Sequence, residues 1–335
     1  MSNTIDVIPS ESSAHRPAIE AIRVGRKYRR GWALRDCSFR LPVGRICGLV
    51  GPNGAGKTTL MAIAANLLQP TDGSLTVFGA APESAATGRR TAFLAQEKPL
   101  FRRFTVAETL RMGRELNPGW DQGAAENIVR AGNVPLEAKI GTLSGGQRTR
   151  VAFALAFGKR PDLLMLDEPM SDLDPLVRHE LMTMLMEEAA QHGTTVLMSS
   201  HMLSELENVC DFLLVMSTGG LRLAGGVDEL RAAHLLLRSG AGTHEGDGQW
   251  QGRAQAVPAE LASHTLVEYR ASGPHVAALI RPQGPVNGRW QTATPNLEEL
   301  LLAYLRCPDA PALITPQAQI PGHAYGSNEA RTVGA

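Results

Sequence analysis

The chain has 335 residues, 43% of them hydrophobic and 20% charged, which is enough for one well-buried core and a smaller appended unit. Lysine plus arginine and aspartate plus glutamate number 33 each, so a formal net charge of +0 supplies no global field for nucleic acid or an anionic membrane surface. Cys37, Cys47, Cys210 and Cys307 show neither metal-ligand spacing nor a CxxC pair, which argues against a disulfide framework and for a reducing cytosol.

In chain order, residues 1–17 are polar and read as a disordered N-terminus with no signal-type apolar run. No later stretch approaches the ~20 apolar residues of a spanning helix, so any work at a membrane requires a partner that supplies the span. Residues 18–239 read as one α/β domain. Apolar strands at 46–50, 163–166 and 194–198 alternate with helices at 60–68 and 181–190, which predicts a mainly parallel sheet covered on both faces. Between about 98 and 160 the strand signals fade into a helical insert. There Thr105 and Glu108 have capping-box spacing, Pro118-Gly119 breaks a helix, and 123–131 forms another. Residues 228–238 look helical, and 240–255 are glycine-rich and polar, as a linker is. Short strands at 266–269 and 276–280 and a helix at 297–305 make a small C-terminal α+β unit over 256–307. The tail, 308–335, with Pro311, Pro316 and Pro321, reads as disordered.

Three motifs carry the chemistry. In Gly51-Pro52-Asn53-Gly54-Ala55-Gly56-Lys57-Thr58, the glycines let backbone N–H groups converge on phosphate oxygens where a helix begins. Lys57 then reaches the β- and γ-phosphates, the Thr58 hydroxyl sits on Mg²⁺, and Thr59 donates to the α-phosphate. Downstream, the strand at 163–166 delivers Asp167 to its carboxyl end to hold Mg²⁺ through water, with Glu168 next to polarise an attacking water. Leu143-Ser144-Gly145-Gly146-Gln147 is a second glycine-rich loop at the head of a helix, separated by the insert from the sheet that holds the first.

In that order the motifs resemble the ATPase subunit of an ABC transporter over residues 18–235, most like bacterial export-type cassettes. The resemblance implies a P-loop ABC cassette with an N-terminal β subdomain, a helical insert and a C-terminal appendage. It assigns Tyr28 to stacking on adenine, with Trp32 as the nearby alternative, and Gln96 to a loop that senses Mg²⁺ and water. Ser171-Asp172-Leu173-Asp174 becomes the D-loop and His201 the γ-phosphate contact. Asp172 stands where the family usually has a small residue, and Met170 where threonine is frequent.

The resemblance further implies two cassettes paired head to tail around ATP, so that Ser144, Gly145, Gly146 and Gln147 of one subunit meet the γ-phosphate held by the other. A separate integral membrane permease docks near Lys98, Pro99, Arg102 and Arg103, placing the chain on the cytoplasmic face of the membrane. The C-terminal extension favours export, with an importer ATPase as the alternative. A soluble ATP-switched regulator of ribosomes or DNA is the reading from another class, but it fits poorly with one cassette, no coiled-coil arm and no basic surface. A nucleotide kinase fits the phosphate loop and leaves the second loop unexplained.

Overall fold

The structure is a computed structural model that describes residues 16–171, 173–200, 206–207, 209–239, 257–272, 275–288, 290–323 and 325. The N-terminal part contains β1 (Ile19–Tyr28), β2 (Gly31–Leu41), β3 (Ile46–Val50), α1 (Lys57–Ala64), β4 (Asp72–Val77), α2 (Ala85–Arg90) and β5 (Thr91–Leu94). The insert supplies α3 (Val106–Leu116), α4 (Gln122–Ala131) and α5 (Gly145–Gly158), and the sheet resumes with β6 (Leu163–Leu166), α6 (Pro175–His192), β7 (Thr195–Ser200), β8 (Phe212–Ser217) and β9 (Gly220–Gly226). The chain ends with α7 (Val227–Ala232), β10 (Leu235–Ser239), β11 (Thr265–Ser272), β12 (His275–Arg281), β13 (Trp290–Ala293), α8 (Leu297–Arg306) and β14 (Leu313–Ile314).

The core sheet runs β14-β9-β8-β3-β7-β6-β5, parallel throughout except for the β8/β9 pair. All four residues of β6 are buried, and they alternate between two cores. Leu163 and Met165 belong to the core shared with α1 and the antiparallel sheet β2-β1-β4, while Leu164 and Leu166 belong to the core that also takes in α5, α6 and α8. A strand buried on both faces must be apolar at every position, and the continuous Leu163–Leu166 run records that requirement. The mainly parallel sheet, the N-terminal β subdomain and the helical insert are therefore all present.

Each insert helix opens on a side-chain cap: Thr105 with Glu108 for α3, Asp121 for α4, and Ser144 with Gln147 for α5. Such caps satisfy N–H groups that no helical carbonyl can reach, each worth about 1 kcal/mol.

The C-terminal part departs from expectation in three places. The helix expected over 228–238 stops at Ala232, and Leu235–Ser239 instead pairs with β12 and β13 in the sheet β11-β12-β10-β13. Its leucine run suits either a buried helix or a strand, and the neighbouring strands decide the matter. The appended sheet thus begins before residue 239, so the expected boundary is too late. The expectation of a disordered tail also fails over 308–323. β14 adds a parallel strand to β9, and Ala318 is fully buried. Pro311 precedes that strand and Pro316 opens the 3₁₀ turn Pro316–Ala318, positions where no ladder N–H is required. The expected linker at 240–255, residues 1–15 and the end of the tail lie outside the described residues.

α7 and α8 are tied by a fully buried imidazole. The Leu230 carbonyl can only accept, so His234 Nδ1 donates to it at 2.6 Å, which leaves Nε2 to accept from the Tyr304 hydroxyl at 3.0 Å. Burial lowers the His234 pKa to about 4. Protonation therefore favours the unfolded chain, and the stability held above pH ~6.5 is lost as pH falls towards 4. Urea unfolding at pH 7 and pH 5 is expected to differ by on the order of 2 kcal/mol through this group. His234→Asn should flatten that slope while lowering stability at both pH values.

Candidate functional site

β3 ends beneath a loop that only glycines can form. A β-carbon at Gly51 would lie 2.4 Å from the Met216 carbonyl oxygen. One at Gly56, whose φ is 103°, would lie 2.5 Å from that of Ala33. Gly56 caps α1 without a side chain, so the first N–H groups of that helix remain available to an anion. Lys57 is buried, and its ammonium donates to Gly51 O at 2.8 Å and Pro52 O at 3.4 Å, with Glu168 Oε1 at 3.9 Å. Burial pulls its pKa below the ordinary lysine value, while Glu168 and Asp167 oppose that shift. A cleft of about 410 Å³ opens here, lined by Asn53, Gly54, Lys57, Thr58, Thr59, Gln96 and Glu168 among others.

The carboxylates come from the end of β6. Asp167 is 2% exposed, and its N–H donates to Leu94 O at 2.9 Å. Glu168 adopts φ 44°, a left-handed conformation that costs a non-glycine residue about 1–3 kcal/mol unless its surroundings fix it. Its N–H donates to Ser199 Oγ at 2.8 Å, and its carbonyl accepts from Ser171 Oγ at 3.1 Å. Ser199 in turn donates to Asp167 Oδ1 at 2.6 Å. Gln96 Nε2 reaches Glu168 Oε2 at 3.4 Å. The sequence reading missed Ser199. Its signal was the period-two face it shares with Thr195 and Leu197, which brings it to the same side of the sheet as Met165 and Asp167.

Thr58, Gln96 and Asp167 offer a hydroxyl, an amide oxygen and a carboxylate, a hard oxygen set that suits Mg²⁺. Among the described residues no cluster of histidine, cysteine, aspartate and glutamate forms a self-contained metal cage.

Ser144 and Gly145 are exposed at the head of α5, and none of Ser144, Gly145, Gly146 and Gln147 lines the cleft. Ser144 Oγ accepts from Gln147 N at 3.2 Å, and Gln147 Oε1 accepts from Ser144 N at 3.0 Å. A β-carbon on Gly145 would meet nothing within 4 Å, whereas one on Gly146 would lie 3.5 Å from Val177 of α6. Asp174 caps α6 through Leu176 N and Val177 N. On the β1-β2 hairpin the Arg26 guanidinium lies 5.1 Å from the Tyr28 ring centre, and Lys27 and Arg35 flank Trp32. Ala33 is the hairpin residue that lines the cleft. His201 and Asp172 lie outside the described residues.

The turn between β5 and α3 carries Lys98, Pro99, Arg102 and Arg103. Beside them Phe101 and Phe104 pair at 5.2 Å between ring centres, the former 60% exposed.

Residues 34–171 match the family described as ABC transporter. The thiamine import ATP-binding protein ThiQ of Escherichia coli (strain K12) is 37% identical over 201 residues, spanning 58% of this chain and 86% of that protein. The sulfate/thiosulfate import ATP-binding protein CysA of Mesorhizobium japonicum is 34% identical over 223 residues, 63% of this chain and 64% of that one. Among solved structures, an ATP-binding subunit of an ABC transporter superposes with a TM-score of 0.59 at 26% identity, covering 64% of this chain and 92% of that chain. A bacterial ABC transporter cassette solved as a dimer, MJ0796, gives 0.56 at 22%, covering 62% and 98%, and shares the fold.

Gly56→Ala is expected to lower ATP affinity at least tenfold and to reduce the melting temperature, because the loop must move away from Ala33 and Leu34 of β2 to admit a methyl group. Calorimetric ATP titration and a thermal melt check both effects.

Proposed function

The chain belongs to the ABC transporter family as an ATP-binding cassette and is an ATPase, and on that premise we propose that it pairs head to tail with a second cassette to drive a separate membrane permease. One observation carries this reading. Lys57, Gln96 and Glu168 converge on one cleft, while Ser144 and Gly145 present an open helix terminus elsewhere on the surface. A second subunit supplies the missing side of each site.

In this assignment the backbone of Gly51, Asn53, Gly54 and Gly56 cradles the phosphates, Lys57 holds the β- and γ-phosphates, and Thr59 donates to the α-phosphate. Thr58, Gln96 and Asp167 hold Mg²⁺, which when bound neutralises charge on the phosphate oxygens. Tyr28 stacks on adenine. Glu168 takes the proton of the water that attacks the γ-phosphorus, and His201 contacts the γ-phosphate. From the other subunit, Ser144, the N–H groups of Gly145 and Gly146, and Gln147 close over that phosphate, with Asp174 beside them at the seam. Loss of the γ-phosphate on hydrolysis releases the closure.

The permease docks at the turn bearing Lys98, Pro99, Arg102 and Arg103. The exposed Phe101/Phe104 pair there suits an amphipathic acidic segment, with aromatic anchors ringed by charge. No helix among the described residues is long and apolar enough to cross a membrane. In the proposed assembly the permease supplies the span, and this chain sits peripherally on the cytoplasmic face. For direction, ThiQ and CysA are named import proteins, which supports import over the export preference drawn from the C-terminal extension. That extension lies outside the matched region.

Glu168→Gln is expected to keep ATP binding while turnover falls at least 10²-fold, read by phosphate release and nucleotide titration. Ser144→Arg should leave ATP binding to the monomer intact and abolish ATP-dependent dimerisation. A dimer persisting on size-exclusion chromatography at the same ATP concentration counts against the head-to-tail arrangement.

A further inference from the structure

We propose that Ser199 is a positioning residue for ATP hydrolysis, a single hydroxyl that sets both the metal-side carboxylate and the backbone of the general base. The inference rests on the assignment of Asp167 and Glu168 given above. Ser199 is fully buried near the carboxyl end of β7, beside β6. Its oxygen accepts the Glu168 N–H at 2.8 Å, so its one proton is free for Asp167 Oδ1 at 2.6 Å, and both contacts are made at once.

Each half has a separate consequence. The Glu168 N–H lies at the residue whose φ is 44°, and Ser171 Oγ holds the carbonyl of that residue from the other side at 3.1 Å. Serine hydroxyls therefore grip both ends of the left-handed turn, and that turn aims the Glu168 carboxylate at Gln96 and Lys57. The second half is electrostatic. With Oδ1 engaged by Ser199, rotation of the buried Asp167 carboxylate about its Cβ–Cγ bond is restrained, so the hydroxyl sets how that carboxylate is presented beside Glu168. Alanine at 199 removes the acceptor for the part-buried Glu168 N–H and the donor for an oxygen of the buried Asp167 carboxylate together.

A positioning role differs from a packing role in what it moves. Ser199→Ala should lower kcat by 10- to 100-fold with KM for ATP changed less than threefold. In a Glu168→Gln background it should also reduce, by at least threefold, the factor by which Mg²⁺ tightens ATP binding, measured by titration with and without EDTA. Ser199→Thr and Ser199→Val add nearly the same volume, and only threonine keeps the hydroxyl. Threonine exceeding valine in kcat by fivefold or more, with matching thermal melts, assigns the effect to the hydroxyl.

Two results would overturn the inference: an alanine variant with wild-type kcat and an unchanged Mg²⁺ factor, or threonine and valine variants with equal turnover. Glu168→Gln in the parent chain separates this failure from that of the parent reading. If that variant is inactive while Ser199→Ala is normal, only the Ser199 role falls. If it hydrolyses ATP normally, the assignment of the base falls with it.

Discussion

The cleft depends on the placement of β3 between β7 and β8, with β6 beyond β7, all parallel. Neighbouring strands are held about 4.8 Å apart by their ladder hydrogen bonds, which puts the ends of β3 and β6 roughly 10 Å from one another across β7. That is too wide for short side chains to meet and about right for a lysine stem and a glutamate to meet midway. Lys57 and Glu168 do so at 3.9 Å, and β7 between them supplies Ser199 at the foot of the gap. The spacing is a property of any parallel sheet. The chemistry comes from which residues stand where the strands end.

The buried ammonium of Lys57 has to be balanced by something. The Gly51 and Pro52 carbonyls share it with Glu168, and the lowered pKa records that the desolvation is only partly offset. Phosphate oxygens are stronger partners for an ammonium than carbonyls are. A triphosphate in the cleft therefore competes for Lys57 on favourable terms, and its arrival loosens the hold of Lys57 on Glu168. On the proposed assignment, the same side chain thus serves phosphate binding and contacts Glu168, the residue proposed as base.

Much of this was legible in the sequence because the constraints were local. β3 and β6 are apolar at nearly every position since both faces are covered, and the Thr105 cap follows from hydroxyl–Glu spacing. The misreadings fall where tertiary contacts decide. Leu235–Ser239 becomes a strand only because β12 and β13 flank it, and the proline-rich tail is ordered because β9 offers it an edge. Ser199 escaped notice for a different reason. A serine closing an apolar strand looks like an ordinary strand end until β6 brings Asp167 and Glu168 alongside it.

The exposed head of α5 is not an isolated loop. Gly146 packs towards Val177, and Arg150 forms an ion pair with Glu180, so α5 and α6 are joined along their first turns. α6 is capped by Asp174, three positions after Ser171, whose hydroxyl donates to the Glu168 carbonyl. A β-carbon on Gly146 would also lie 3.9 Å from Leu173, whose N–H donates to Met170 O, and Ser171 holds the Glu168 carbonyl, so contacts link the head of α5 to the stretch that carries the left-handed residue. Packed interiors shift between discrete arrangements more readily than they deform smoothly. On the proposed head-to-tail pairing, a surface that closes on the head of α5 bears on α5 and α6 together, and the turn that aims Glu168 lies just before α6.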